Sequence, residues 1–357
     1  MTGSILVTGG AGFIGSCFVR QWLATRPGQV VNLDKLTYAG CLESLSEARH
    51  DPRHVFSHGD ILDMDLTARL LAEHSPQAVV HLAAESHVDR SIDGPDACFE
   101  TNVTGTFQLL KAVHAYWRQL DQPQRSAFRF LYVSTDEVYG SASPGESFRE
   151  TTPTAPNSPY AASKAAAGHF VRAFFSTYGL PTLQTMCSNN YGPYQFPEKL
   201  LPLIILNAVE GRPLPIYGDG QQARDWLYVE DHCDALMAVL ERGQPGESYN
   251  IGSGLSRSNL DVVQQLCAVI DRLRPDLPHT PCRRLIEMVA DRPGHDRLYA
   301  VDSAKIRAEL NWRPQRDFAE GLQETVRWYL ENEDWVEHIN ERYQRQRLGA
   351  GEIAESG

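Results

Sequence analysis

Ser134, Thr135, Asp136 and Glu137 place two hydroxyls and two adjacent carboxylic acids directly after the apolar run 130–133, with Tyr160 and Lys164 following downstream. A tyrosine and a lysine four residues apart share one face of a helix. A phenol with an ordinary pKa of about 10 is a poor base, but a neighbouring cation favours its anion. That pair suffices to take a hydroxyl proton while a hydride moves to a cofactor. The two extra acids then require further proton transfers, and the set suggests oxidation followed by elimination. For Asp136 to give up a proton, burial or the adjacent carboxyl must raise its pKa from about 3.9. The alternative is that the two acids only turn or cap a strand end.

These side chains need a scaffold, and apolar runs at 5–7, 30–33, 55–57, 78–82, 128–133 and 182–186 alternate with stretches of helix length. Such alternation predicts a parallel sheet with helices on both faces, a Rossmann-type doubly wound α/β fold. The first strand leads into TGGAGFIG at 8–15. Gly10 and Gly12 let the backbone turn tightly and approach a pyrophosphate, and Gly15 lets the helix pack against the strand. Asp34 ends the second strand where a carboxylate accepts hydrogen bonds from ribose hydroxyls and repels a phosphate, which favours NAD over NADP. Lys35 offsets part of that repulsion. Asp60 and Ile61 follow the third strand as candidates for the adenine, and Ala83 and Ala84 follow the fourth, serving either the cofactor or close packing.

After residue 186 the rhythm changes, and a smaller α/β substrate lobe is expected over 187–335, against a cofactor domain of 1–186. Helices are expected at 197–210, 231–241 and 259–274, with extended segments at 225–229 and 247–251. Parts of 225–251 return to the first domain, so the second lobe is discontinuous. Residues 336–357 read as a polar tail.

At 357 residues the chain is long for one core, and with 42% hydrophobic and 22% charged residues it has little room for a long disordered region. The net charge of −12 argues against nucleic acid or anionic membranes as partners. The start at Met1 carries no leader pattern, and no segment has the length and apolarity of a membrane span, so a cytosolic protein is expected. Seven cysteines without CxxC spacing fit reduced thiols and no metal site.

Longer matches carry a resemblance: DKLTYAG from Asp34, HLAAESHVDRSI from His81, STDEVYG from Ser134, SPYAASKA from Ser158, SNNYGPYQFPEKL from Ser188, RDWLYVEDH from Arg224 and DRPGHDRLYA from Asp291. The chain resembles the extended short-chain dehydrogenases/reductases, and among them the nucleotide-sugar 4,6-dehydratases, up to about residue 330. The resemblance implies that Tyr160 takes the proton of the sugar 4-hydroxyl, held also by Thr135, while Lys164 supports it and NAD is reduced and regenerated. Glu137 then removes the proton on carbon 5, and Asp136 protonates the departing 6-hydroxyl. It implies a cofactor site including Gly9, Gly12, Phe13, Ile14, Gly15, Asp34, Lys35, Thr37, Gly40, Asp60, Ile61, Ala83 and Ala84. The diphosphate, sugar and base fall to Asn190, Lys199, Arg224, Asn259, Arg292 and His295, with Glu85, Ser86 and Tyr299 near the sugar. Tyr217 either stacks on the base or packs in the core.

Two departures stand out: Cys41 follows TYAG where the family more often has asparagine, and 141–150 is shorter than in some members. The resemblance implies dTDP-glucose as substrate, with UDP-glucose the nearest rival because thymine and uracil differ by one methyl. An epimerase does not require the Asp136 and Glu137 pair, and a decarboxylase would want a cation there. A protein that holds NAD without turnover is the reading from another class. The resemblance also implies a homodimer, for which the candidate helices are 96–118 and 160–178.

Overall fold

The computed structural model describes residues 1–343. Twelve strands are formed: β1 (Ile5–Thr8), β2 (Val30–Asp34), β3 (His54–His58), β4 (Ala78–His81), β5 (Arg129–Thr135), β6 (Thr182–Cys187), β7 (Asn189–Tyr191), β8 (Leu214–Tyr217), β9 (Ala223–Tyr228), β10 (Ser248–Ile251), β11 (Ser256–Ser258) and β12 (Ile286–Val289). Seven of them make one parallel sheet in the order β10-β6-β5-β4-β1-β2-β3. The chain builds outward from β1 to β3 and then returns to the other side of β1 with β4. That reversal leaves a crevice between the carboxyl ends of β1 and β4, the place where open parallel sheets bind ligands.

The strands are apolar on both faces because both are covered. Ile5 and Val7 of β1 point into a core shared with Phe18, Trp22, Leu236 and Val239, whereas Leu6 between them joins Val31, Leu109, Phe130 and Val171 on the opposite face. The period of two thus divides one strand between two cores. Full burial of each such side chain contributes roughly 1.5–3 kcal/mol.

The remaining strands form a three-stranded sheet, β11-β9-β7, and a two-stranded pair, β12-β8. Helices Leu200–Glu210, Asn259–Leu273 and Phe318–Glu331 pack here around Leu201, Ile205, Val262, Leu266, Leu322 and Val326. Strand β10 crosses back to pair with β6. Residues 336–342, expected in a tail, instead complete the helix Glu333–Arg342, because Trp335 and Ile339 bury their side chains in the second core. The rest of that expected tail, 344–357, lies outside the described residues. No helix among the described residues is long and apolar enough to cross a membrane.

The helix expected over 96–118 is also more finely divided. Pro95–Cys98 leads into a π-helical segment, Phe99–Gly105, before α-helix resumes at Thr106–Gln119. The wider turn aims Asn102 inward: its amide donates to the Glu85 carbonyl and to Ser163 Oγ, and its oxygen accepts from the Glu85 N–H.

Candidate active site

Strand register assembles the site. Thr8 pairs with His81, which sets the loop after β1 against Leu82 and Ala83. Asp34 pairs with His58, so Lys35 stands beside Asp60. Thr135 pairs with Cys187, which brings Asp136 and Glu137 next to 188–190. All three junctions open on one cleft of about 300 Å³, lined by residues from Gly9 to Lys199.

At one end, Gly9 adopts φ +76°, and a Cβ there would come within 2.5 Å of the Ala83 nitrogen. A Cβ on Gly15 would meet the Gly9 carbonyl at 2.0 Å. Only glycine permits this tight loop before helix Phe13–Thr25. Gly10, expected to face a phosphate, instead packs on the Asn32 side chain and does not line the cleft. The loop glycines that line the cleft are Gly9, Gly12 and Gly15. Asp34 holds the loops in place by accepting from the N–H groups of Ala11 and Leu36, both at 2.8 Å. Burial pushes its carboxyl up, and those two N–H groups pull it back down. Lys35 does not neutralise Asp34: its ammonium pairs with Asp60 at 2.6 Å. The glycine cradle, helix N-terminus and acidic strand end fit a dinucleotide, as expected. Phe13, Ile14, Gly12, Thr37, Gly40, Ile61, Ala83 and Ala84 line the same wall.

At the other end, Thr135 caps the turn Asp136–Tyr139 by accepting from the Glu137 N–H, and it donates to Asp136 Oδ1. Asp136 is 2% exposed, and its Oδ2 has no hydrogen-bond partner. Burial, then Glu137, then Asp225 push its carboxyl well above the usual range. Burial also raises Glu137, but Arg292, Arg224 and Lys199 oppose that rise. Both carboxyls are thus raised, but three cations oppose the rise at Glu137 where Arg224 opposes it at Asp136.

Tyr160 and Lys164 lie on helix Pro159–Tyr178, which Ser158 caps by accepting from the Ala161 N–H. Both line the cleft and are buried. Burial lowers Lys164 to about 7 and raises the Tyr160 phenol well above its usual value. Lys164 donates to the Val133 carbonyl at 2.8 Å. Burial is the largest influence on the Tyr160 phenol, followed by Glu137.

Glu85, Ser86, Asn190 and Lys199 line the cleft, with the Lys199 ammonium donating to the Ser86 carbonyl. Arg224 and Tyr299 lie behind it: the guanidinium sits 4.1 Å from the Tyr299 ring centroid and donates to the Asp296 carbonyl, while the Tyr299 hydroxyl donates to Asp296. Arg292 pairs with Asp89, keeps its buried Nε without a partner and still acts on Glu137. Tyr217 donates to Asp89, and its ring meets the edge of His295, which in turn bonds Asp291. Tyr217 and Asn259 do not line the main cleft; Asn259 begins a helix with its N–H bonded to the Gln222 carbonyl.

The cleft also contains Thr101, Gln195 and Glu198, which the sequence reading did not single out as site residues. Glu198 is buried and accepts from the Tyr38 hydroxyl and Arg90, joining the loop after β2 to helix Val88–Asp93. Its place inside the long 188–200 motif was the available signal. Thr101 depends on the π-helical turn, which helical periodicity does not reveal.

Fold and cleft together define the class as an extended short-chain dehydrogenase/reductase. A family model described as GDP-mannose 4,6 dehydratase matches residues 6–325. A dTDP-glucose 4,6-dehydratase from Xanthomonas campestris pv. campestris is 56% identical over 346 residues, covering 97% of this chain and 98% of the relative. The crystal structure of DesIV, a dTDP-glucose 4,6-dehydratase from Streptomyces venezuelae with NAD and TDP bound, has 47% identity and a TM-score of 0.85, covering 94% of this chain and 99% of that one. A UDP-glucose 4-epimerase from Thermus thermophilus, in complex with NAD, reaches a TM-score of 0.80 at 30% identity, over 92% and 99% of the two chains. Fold alone therefore does not separate dehydratase from epimerase, and the high identity does. The chain belongs to the dTDP-glucose 4,6-dehydratase family.

Proposed function

We propose that this protein converts dTDP-glucose to dTDP-4-keto-6-deoxyglucose and water, with NAD as a cofactor that ends the cycle unchanged. The observation that carries this reading is the divided carboxyl pair, Asp136 and Glu137, in the same cleft as Tyr160 and the glycine loop.

NAD would be held by the loop from Gly9 to Gly15, by Asp34 and by the wall at Ala83 and Ala84. When bound it supplies the acceptor for the hydride of carbon 4 and the donor to carbon 6. Tyr160, whose anion the positive charge of bound NAD would favour against the burial that raises the phenol, would take the proton of the 4-hydroxyl, which Thr135 also holds, and Lys164 orients this corner through its bond to Val133. The ketone at carbon 4 acidifies the proton on carbon 5, and Glu137 removes it as a carboxylate. Asp136, kept protonated by burial, donates to the 6-hydroxyl so that it leaves as water. Reprotonation at carbon 5 completes the product. The smaller lobe, 187–335, carries the nucleotide end of the substrate, with Arg224, Arg292 and Lys199 supplying positive charge, Asn190 lining the pocket beside Glu85 and Ser86, and Asn259, His295, Tyr217 and Tyr299 standing outside that lining. The division into a cofactor domain, 1–186 with β10, and this lobe is part of the same reading.

We further infer a homodimer. Phe99 is 64% exposed, Tyr178 52% and Phe170 39%, all on the helical segments named for that contact. Phe170 packs on Phe107 and Tyr178 on Phe174, so the exposed rings extend one apolar stripe. A cytosolic location suits the seven buried, unpaired thiols.

The test is product mass after incubation with dTDP-glucose, UDP-glucose, UDP-glucuronate and UDP-galactose. Loss of water from dTDP-glucose is expected. Loss of carbon dioxide, an unchanged mass with altered stereochemistry, or no turnover despite NAD binding rejects the proposal. The methyl that separates thymine from uracil is worth about 1–3 kcal/mol, so a preference rather than exclusion is expected between the two bases.

A further inference from the structure

On the surface beyond the cleft, Cys41, Glu43 and His338 bring three metal-ligating atoms within 4.8 Å of one another. Cys41 Sγ lies 3.1 Å from Glu43 Oε2, and His338 Nε2 lies 3.3 Å from the same oxygen. A tetrahedral ion with bonds of about 2.3 Å to sulfur and about 2.0–2.2 Å to nitrogen and oxygen separates its ligand atoms by roughly 3.3–3.6 Å. Small side-chain movements bring the observed spacing into that range.

The three residues are presented by well-anchored backbone. Cys41 directly precedes the 3-10 turn Leu42–Leu45 that carries Glu43, and its N–H is bonded to the Ala11 carbonyl. His338 lies on helix Glu333–Arg342, which docks on the same segment at two points. Trp335 Nε1 donates to Ser44 Oγ at 3.1 Å, and Arg342 donates to the carbonyls of Gly40 and Thr37. His338 sits between these anchors and faces Glu43. Cys41 is 2% exposed, whereas the side chains of Glu43 and His338 are 49% and 37% exposed. An ion from solvent can therefore meet the carboxylate and imidazole first and the sulfur last. The Arg342 cation also acts on Glu43, while two of its N–H groups donate to the carbonyls of Gly40 and Thr37.

We propose that Cys41, Glu43 and His338 form a zinc-binding site that fastens helix Glu333–Arg342 to the loop carrying Thr37 and Gly40. A thiolate with an imidazole selects zinc-class ions over magnesium or calcium. Binding releases the Cys41 thiol proton to solvent and leaves the fourth position to water. Thr37 and Gly40 line the cofactor cleft, so the ion braces its outer edge. Residues 41, 43 and 338 have no motif spacing, which is why the sequence suggested no metal.

The test is titration of the reduced full-length protein with cobalt(II) and then zinc, and it requires no turnover. One equivalent of cobalt per chain should give thiolate-to-cobalt charge-transfer absorption that zinc abolishes. Cys41→Ser should remove that band while the other six cysteines remain. His338→Gln should weaken cobalt binding by roughly tenfold or more, since loss of even an outer partner of a metal ligand costs about that much. Zinc should raise the melting temperature of the unaltered protein and not that of Cys41→Ser. Absence of the band at one equivalent, or an undiminished band in Cys41→Ser, overturns the site. Should Cys41→Ser fold poorly, unchanged cobalt affinity in the exposed His338→Gln variant overturns it equally.

Discussion

Asp136 and Glu137 are chain neighbours on one 3-10 turn, yet Asp136 keeps a buried carboxyl oxygen without a partner while Glu137 feels three cations. The backbone of the turn sends adjacent side chains into different surroundings. In the proposed reaction Asp136 donates a proton and Glu137 accepts one, an arrangement that elimination across two carbons requires and simple oxidation does not.

Glu137→Gln should stop removal of the carbon 5 proton while leaving oxidation at carbon 4 intact. Overall turnover should fall by roughly 10²–10⁴, the range for loss of a general base. Reactions run in heavy water provide the check: the unaltered enzyme should place deuterium at carbon 5, and the variant should leave recovered sugar unlabelled there.

The ratio of water loss to oxidation should depend on pH with a definite sign. Asp136 must be protonated, and its pKa is raised, so elimination persists above the usual carboxyl range and is lost as pH rises through the folded value. Glu137 must be ionised, so elimination also falls on the acid side. Lys164, at about 7, adds an alkaline effect on the oxidation corner. Quenched reactions analysed for oxidised sugar against dehydrated product separate the two effects, and in Asp136→Asn the alkaline fall in this ratio should disappear.

Asp34→Ser should weaken NAD and narrow its advantage over NADP. The carboxylate is fixed by Ala11 and Leu36, and Lys35 is held away by Asp60. Loss of a charged hydrogen bond costs about 1.5–3 kcal/mol, or roughly 10- to 100-fold in affinity. Calorimetric titration of both cofactors measures it, and an unchanged ratio contradicts the assigned role.

Replacing Phe170 and Tyr178 together by glutamate should dissociate the proposed homodimer, since both rings are exposed on helix Pro159–Tyr178. Sedimentation should show monomer for the variant and dimer for the unaltered chain. Monomer in both cases removes the dimer from the account.

The parallel sheet was legible because its strands are short apolar runs bounded by helix signals, and the glycine loop, Asp34 and the carboxyl pair all fall at strand ends. The smaller lobe was less legible. β12 is four residues long with Glu287 and Met288 exposed, so neither alternation nor an apolar run marks Ile286–Val289. The π-helical turn that positions Asn102 depends on contacts with Glu85 and Ser163 from distant parts of the chain. Spacing likewise reveals Lys164 one turn from Tyr160 but not the burial that raises the phenol.

The division of labour between Asp136 and Glu137 is tested most directly by single-turnover reaction of Asp136→Asn with dTDP-glucose in heavy water. The account predicts that a 4-keto sugar retaining its 6-oxygen accumulates and exchanges deuterium at carbon 5, while water loss slows by roughly 10²–10⁴. Water loss at the unaltered rate would contradict it.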